Sequence, residues 1–154
     1  MAATDPPLVR SAKAEDAEAI LSLVDALADY EHLDRPSTEA HARLRKDLFG
    51  PKPRVECTLA EVDGAAVGYA FTFETYSSFL ALPTLYLEDL FVLPDYRGRG
   101  AGAALFGHVL DEARQRGCGR MEWTVLDWNQ LAIDFYKRFG AEHMSDWHLY
   151  RIKL

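Results

Sequence analysis

Three glycines spaced two apart, Gly98, Gly100 and Gly102, stand between a run of strand-forming residues and an amphipathic stretch, and this junction restricts the fold more than any other feature. The run before them, Leu85-Tyr86-Leu87-Glu88-Asp89-Leu90-Phe91-Val92-Leu93, lies in a strand predicted over 84–93. After it, residues 98–116 carry an apolar stripe of Leu105, Phe106, Val109, Leu110 and Ala113 and stop at Gly117, as a helix does. The first N–H groups of a helix are unpaired and partly positive, and glycine lets an anion come close to them. The segment therefore suits a phosphate-bearing ligand.

Spacing narrows the choice. Gly98 to Ala103 satisfies the GxGxxG/A dinucleotide fingerprint, and Glu122 lies about the right distance beyond it. In a dinucleotide fold, however, the first glycine follows its strand almost at once and the motif opens the first strand–helix–strand unit. Here residues 93–97 intervene and more than half of the chain comes first. No GxxxxGK[ST] string occurs, so a P-loop is excluded.

The flanking chain sets the fold class. Residues 8–10 could form an edge strand, and 15–30 repeat Ile20, Val24 and Leu27, with Leu21, Leu23 and Ala28, at helical spacing. Ser37 can cap a second helix reaching Phe49. Strands are predicted over 55–62 and 65–76, joined by Asp63-Gly64, a dipeptide suited to a two-residue hairpin. A strand over 120–126, a helix over 129–139 and a last strand over 147–154 follow. Hairpins first and a strand–helix–strand unit later predict an α/β fold, a mixed sheet with helices on both faces.

The 154 residues have room for one domain, 1–154, with a full core. Twenty-four acidic against 17 basic side chains leave a charge of -7, which disfavours nucleic acid and anionic membrane and favours a cationic ligand. Cys57 and Cys118 form no CxxC pair, and the five histidines show no ligand spacing, so no metal is expected. No basic-then-apolar leader is present, and the longest uncharged stretch is 13 residues, so a cytoplasmic protein is expected.

Arg97-Gly98-Arg99-Gly100-Ala101-Gly102 resembles the R/Q-x-x-G-x-G/A pyrophosphate loop of the GNAT superfamily of acetyl-CoA-dependent N-acetyltransferases. The preceding Tyr86-Leu87-Glu88-Asp89-Leu90-Phe91-Val92, with Asp127-Trp128-Asn129 and the run from Ile133 to Ala141, is similar to the spermidine/spermine and thialysine acetyltransferase branch. This resemblance spans almost the whole chain. It implies a GNAT-like fold, a central, mostly antiparallel sheet splayed around the CoA site, and acetyl-CoA as co-substrate.

Acetyl transfer from a thioester to an amine needs a neutral amine, a polarised carbonyl and a protonated leaving thiolate. The resemblance implies that the backbone of Leu90, Phe91 and Val92 pairs with the pantetheine arm. It also implies that Arg97, Gly98, Arg99, Gly100, Ala101, Gly102 and Ala103 hold the pyrophosphate. Asn129 and Tyr136 are seven residues apart and share a helix face. In the resembling enzymes this asparagine binds the CoA arm and this tyrosine is the general acid; the alternatives are a helix cap and a core residue. Strand alternation puts Glu88 and Asp89 on opposite faces. Resemblance assigns Glu88 to the amine side as proton acceptor and Asp89 to a structural role. Tyr30, Glu31, Glu122, Trp123 and Thr124 fall at positions lining the amine end in relatives.

Two departures bear on substrate. Residues 76–83 lack the Asp-Pro-Trp of relatives acting on spermidine and spermine, and the segment after Ala141 is short, leaving Asp146 as a doubtful match for a substrate acid. A diamine or lysine-like amino acid then fits at least as well as a long polyamine. The expectation is acetyl transfer to a small primary amine by direct attack. The alternatives are a protein or peptide amine as acceptor, or a CoA-binding module without turnover. Resemblance further implies a homodimer.

Overall fold

A computed structural model describes residues 5–154. The first four positions of the N-terminal stretch read above for a leader lie outside the described residues. The structure divides into two compact units, the first ending at Trp123 and the second running Thr124–Leu154.

In the first unit β1 (Leu8–Ser11), β2 (Glu56–Val62), β3 (Ala65–Ser77), β4 (Leu82–Val92) and β5 (Arg120–Glu122) form one sheet in sequence order. The first three pairings are antiparallel, and only β4–β5 is parallel. The helices are α1 (Ala17–Tyr30), α2 (Thr38–Phe49) and α3 (Ala101–Gln115). The second unit contributes α4 (Gln130–Arg138). A mixed, mostly antiparallel sheet was expected and is found.

Local chemistry accounts for the element ends. Asp63 and Gly64 both take positive φ, 52° and 79°, and close the β2–β3 hairpin at Val62 opposite Ala65. The Ser37 side chain accepts a hydrogen bond from the Ala40 amide and caps α2. Arg10 holds the edge strand to the turn before α1, donating to both carboxylate oxygens of Asp16 at 2.8 Å and to Glu61.

Both faces of the sheet are covered. Tyr69 and Phe71 of β3 are buried with Ile20 and Leu23 of α1, Leu48 of α2 and Leu59 of β2. Gly68 points the other way, where an added Cβ would lie 3.2 Å from Leu105 of α3. Leu105 and Phe106 of α3 are almost fully buried, each contributing about 1.5–3 kcal/mol.

Three expected elements change by more than two residues. The helix predicted from residue 98 begins at Ala101, because Gly98 and Gly100 have φ of 76° and 87°, which a right-handed helix cannot contain. The strand expected over 120–126 ends at Glu122. Residues 147–154, expected as a last strand, carry no regular structure, and no other strand in Thr124–Leu154 could pair with them.

Gly68→Ala would place a methyl group 2.8 Å from the Phe91 carbonyl oxygen, a backbone atom that cannot turn aside. This variant should lose about 1–3 kcal/mol in urea unfolding, with unchanged secondary structure by circular dichroism.

Candidate active site

An irregularity in β4 shapes the site. Phe71 of β3 pairs with Asp89 and Thr72 with Leu87, so Glu88 is an extra residue without a partner. Such a bulge adds one residue to one strand and breaks its alternation. Leu85 and Leu87 pair with Glu74 and Thr72; beyond the bulge Asp89 pairs with Phe71, and so joins the α1 side of the sheet. Without the extra residue Asp89 would follow Leu87 onto the α3 side. The expectation that Glu88 and Asp89 simply alternate is corrected by this bulge.

The same region opens the sheet. The β4–β5 ladder ends at Tyr86 opposite Glu122, and within the first unit no strand pairs with residues 87–92 on that side. Trp123, next after the ladder, packs edge-on against Phe106 of α3, with ring centroids 5.3 Å apart. The strands thus part at the level of the bulge, leaving the backbone edge of Leu90, Phe91 and Val92 as the expected partner for an extended ligand.

Beyond β4 a single 3-10 turn (Pro94–Tyr96) leads into the glycine turn. Gly100 caps α3 in the left-handed conformation, and no side chain caps the helix. The first helical bond runs from the Ala104 amide to the Gly100 carbonyl, so the amides of Ala101, Gly102 and Ala103 have no acceptor within the helix. An anion fits here, close to the backbone and the positive end of α3. Arg99 lies exposed over the Tyr96 ring at 5.5 Å. Arg97 turns inward: its Nε donates to the Val92 carbonyl at 3.0 Å, and its guanidinium lies 4.5 Å from the Tyr30 ring centroid and 5.6 Å from that of Phe91.

The acidic residues divide. Glu31 follows the end of α1 half-buried, and burial pushes its carboxyl above the usual range. Glu88 is exposed at the bulge. Asp89 accepts a hydrogen bond from the Tyr69 hydroxyl at 2.9 Å. Burial pushes the Asp89 carboxyl up to about 6; the negative charges of Glu88 and Glu31 push the same way, and the Tyr69 hydroxyl pulls it back. Glu122 is exposed and ion-paired with Arg120, which shares its charge. Asp89 thus feels Tyr69, Glu88 and Glu31, while Arg97, Tyr30 and Phe91 form a stack of their own and Glu122 pairs with Arg120.

In the second unit Asn129 caps α4, its Oδ1 accepting from the Ala132 amide at 3.2 Å, which leaves its side-chain N–H groups as donors. Tyr136, in the last turns of α4, packs edge-on against Phe135 at 5.3 Å. Thr124 is exposed. Burial pushes the thiols of Cys57 and Cys118 up, opposite to what an acyl-carrying nucleophile needs. Among the described residues no three His, Cys, Asp or Glu side chains are grouped as metal ligands, and no helix is long and apolar enough to cross a membrane.

Residues 20–141 match the model of the acetyltransferase (GNAT) family. The chain belongs to this family. The GNAT domain is 36% identical to the thialysine N-epsilon-acetyltransferase of Bos taurus, over 95% of this chain and 92% of that protein. It is also 35% identical to the spermidine/spermine N(1)-acetyltransferase-like protein 1 of Homo sapiens, over 93% of this chain and 22% of that longer protein. An aminoglycoside N-acetyltransferase solved in complex with CoA, AAC(6')-Iy, shares the fold, with a TM-score of 0.80 at 21% identity, over all of this chain and 99% of that one. The protein is thus an acetyl-CoA-dependent N-acetyltransferase that transfers acetyl groups to an amine.

Two residues carry more in this GNAT site than the sequence reading allowed. Asp89 was expected to be structural, and Tyr69 was given no role. No sequence signal marks the bulge that brings them together.

The raised Asp89 carboxyl makes a prediction about stability. Because its folded value lies above its unfolded one, Asp89 contributes stability that is fully present below about pH 4 and is lost as the pH rises through about 6. Asp89→Asn removes this dependence. Relative to wild type, the variant should gain roughly 1–3 kcal/mol between pH 4 and 7, read from urea unfolding at each pH. A constant difference across that range would contradict the assignment.

Proposed function

We propose that this enzyme acetylates a primary amine of a small cationic substrate, a diamine, polyamine or lysine-like amino acid, by direct attack in a ternary complex. The observation that carries the reading is the cluster of Glu31, Glu88 and Asp89 beside an open strand edge that runs on to an anion-accepting glycine turn. An acetyl donor with an anionic end and an acceptor with a cationic amine call for opposite charges at the β4 bulge and at the turn beyond the strand. The similarity to a thialysine acetyltransferase over nearly the whole chain supports a lysine-like amine.

The glycine turn, its two arginines and the β4 edge fit acetyl-CoA, whose thioester supplies the activated acetyl group. In this reading Arg97, Arg99 and the amides of Gly98, Gly100, Ala101, Gly102 and Ala103 hold the pyrophosphate. The edge of Leu90, Phe91 and Val92 holds the pantetheine arm, a role that the family resemblance also gives to Asn129. Tyr30, Glu31, Glu88, Trp123 and Thr124 receive the amine; Glu122 contributes less attraction than expected, because Arg120 shares its charge. Glu88 accepts a proton from the ammonium, directly or through water, and the neutral nitrogen forms the new C–N bond as the C–S bond breaks. Tyr136 gives its phenol proton to the leaving thiolate. The reading extends to a homodimer, for which the support is the family resemblance, and to the cytoplasmic location expected from the sequence.

Incubation with acetyl-CoA and a panel of thialysine, ornithine, diamines, spermidine and peptides should release free thiol fastest with the small amines. CoA binding without thiol release on any member would overturn the reading. Tyr136→Phe should lower turnover roughly 10- to 1000-fold with little change in acetyl-CoA binding, and an unchanged rate would remove Tyr136 from the chemistry.

A further inference from the structure

Tyr69 is a fully buried residue whose hydroxyl reaches the carboxylate cluster. Its ring belongs to the core, lying edge-on to Phe71 at 4.7 Å and packed with Ile20, Leu23, Leu59 and Phe91. The ring alone needs no hydroxyl there: a phenylalanine would fill the same space and bury no polar atom. The oxygen is instead spent on Oδ2 of Asp89, 2.9 Å away across the β3–β4 pair. The bulge at Glu88 makes this meeting possible, because it turns Asp89 to the face that Tyr69 occupies.

The groups around Asp89 nearly all oppose its charge. Glu31 follows the end of α1, Glu88 is its neighbour on β4, and the Cys57 thiol of β2 is close enough to feel it. Of the cations on this side, Arg97 is held on the Tyr30 and Phe91 rings with its Nε given to Val92, and Arg10 is paired with Asp16 and Glu61. The Tyr69 hydroxyl is the hydrogen-bond donor that the structure gives the Asp89 carboxylate. Burial and the nearby Asp89 charge push that phenol up, which favours the protonated form that donates.

We propose that Tyr69 is a positioning residue: its hydroxyl orients Asp89 and keeps it ionised, so that Asp89 supplies a counter-charge to the substrate ammonium and sets the acid limit of the reaction. The inference rests on the reading of the site as one for a cationic amine, and adds a determinant that lies outside the residues lining it. Donation to a carboxylate favours its charged form. Loss of the hydroxyl should therefore raise the Asp89 titration by about one pH unit, the size expected for a hydrogen bond to a charged group. A protonated Asp89 offers the ammonium no charge, so the loss should be felt in amine binding on the acid side.

The test compares wild type, Tyr69→Phe, Asp89→Asn and the double variant. Wild type is first assayed on the amine panel, so that a wrong substrate class shows as no turnover before any variant is measured. Carboxyl-carbon NMR titration, with Asp89→Asn used to assign the signal, then reads the Asp89 midpoint whether or not turnover occurs. In Tyr69→Phe we expect that midpoint, and the acid limb of kcat/KM for the amine, to move up together by about one pH unit. KM for the amine near pH 6 should rise several-fold, while KM for acetyl-CoA and kcat on the alkaline side stay close to wild type. In the Asp89→Asn background, Tyr69→Phe should leave the acid limb where it is. An unmoved NMR midpoint in folded Tyr69→Phe overturns the proposal, and so does a moved midpoint with an unmoved acid limb. If Tyr69→Phe fails to fold, a wild-type acid limb in Asp89→Asn overturns it instead.

Discussion

Glu88 stands in β4 without a partner on β3, and most of what the site can do depends on that extra residue. It shifts the register so that Asp89 leaves the side occupied by Leu87 and joins Phe71 and Tyr69. Two residues earlier the parallel ladder to β5 has already stopped. A strand with one edge unpaired keeps its N–H and C=O groups available to another extended chain, the condition for holding a pantetheine-like arm. Regular pairing through residues 87–92 would satisfy those groups within the sheet and send Asp89 to the wrong face.

Charge is distributed along the same strand. At its end the glycine turn and the α3 N-terminus offer amides, with Arg97 and Arg99 adding the cationic side chains. At the bulge Glu88, Asp89 and Glu31 offer carboxylates. An overall charge of -7 would resist an anionic co-substrate, and the local reversal at the turn offsets this. Arg97 links the two ends, since its guanidinium rests on Tyr30, the last residue of α1, while its Nε is tied to Val92.

Most of the fold was legible from short-range signals. Asp63-Gly64 marks its hairpin because both residues must take positive φ, and Ser37 marks the start of α2 because its oxygen can replace a missing acceptor. Of the α1 residues at helical spacing, Ile20, Leu21, Leu23 and Ala28 are buried, and Val24 and Leu27 are partly so. The errors fall where pairing decides. β5 is three residues long where seven were expected, and 147–154 is not a strand, because strand residues become a strand only when a partner edge is present. In the site, the glycine turn was legible and the ion pair of Glu122 was not, since nothing in its neighbourhood of sequence says that Arg120 will pair with it rather than turn away.

The sequence by itself determined the family, through its motifs, and also the element order as far as α4 and the anion-accepting turn, because these two rest on residue types whose conformational preferences act over a few positions: glycine at positive φ, alternation in strands, caps at helix ends. Only the tertiary structure decided which carboxylates meet. The Glu88 bulge is a property of two strands in register, and the burial that perturbs Asp89 comes from elements far apart in the chain, with Tyr69 twenty residues before it and Glu31 at the end of α1. Interactions of that kind have no local sequence signature, since the same residues in an unbulged strand would lie on the other face and never meet.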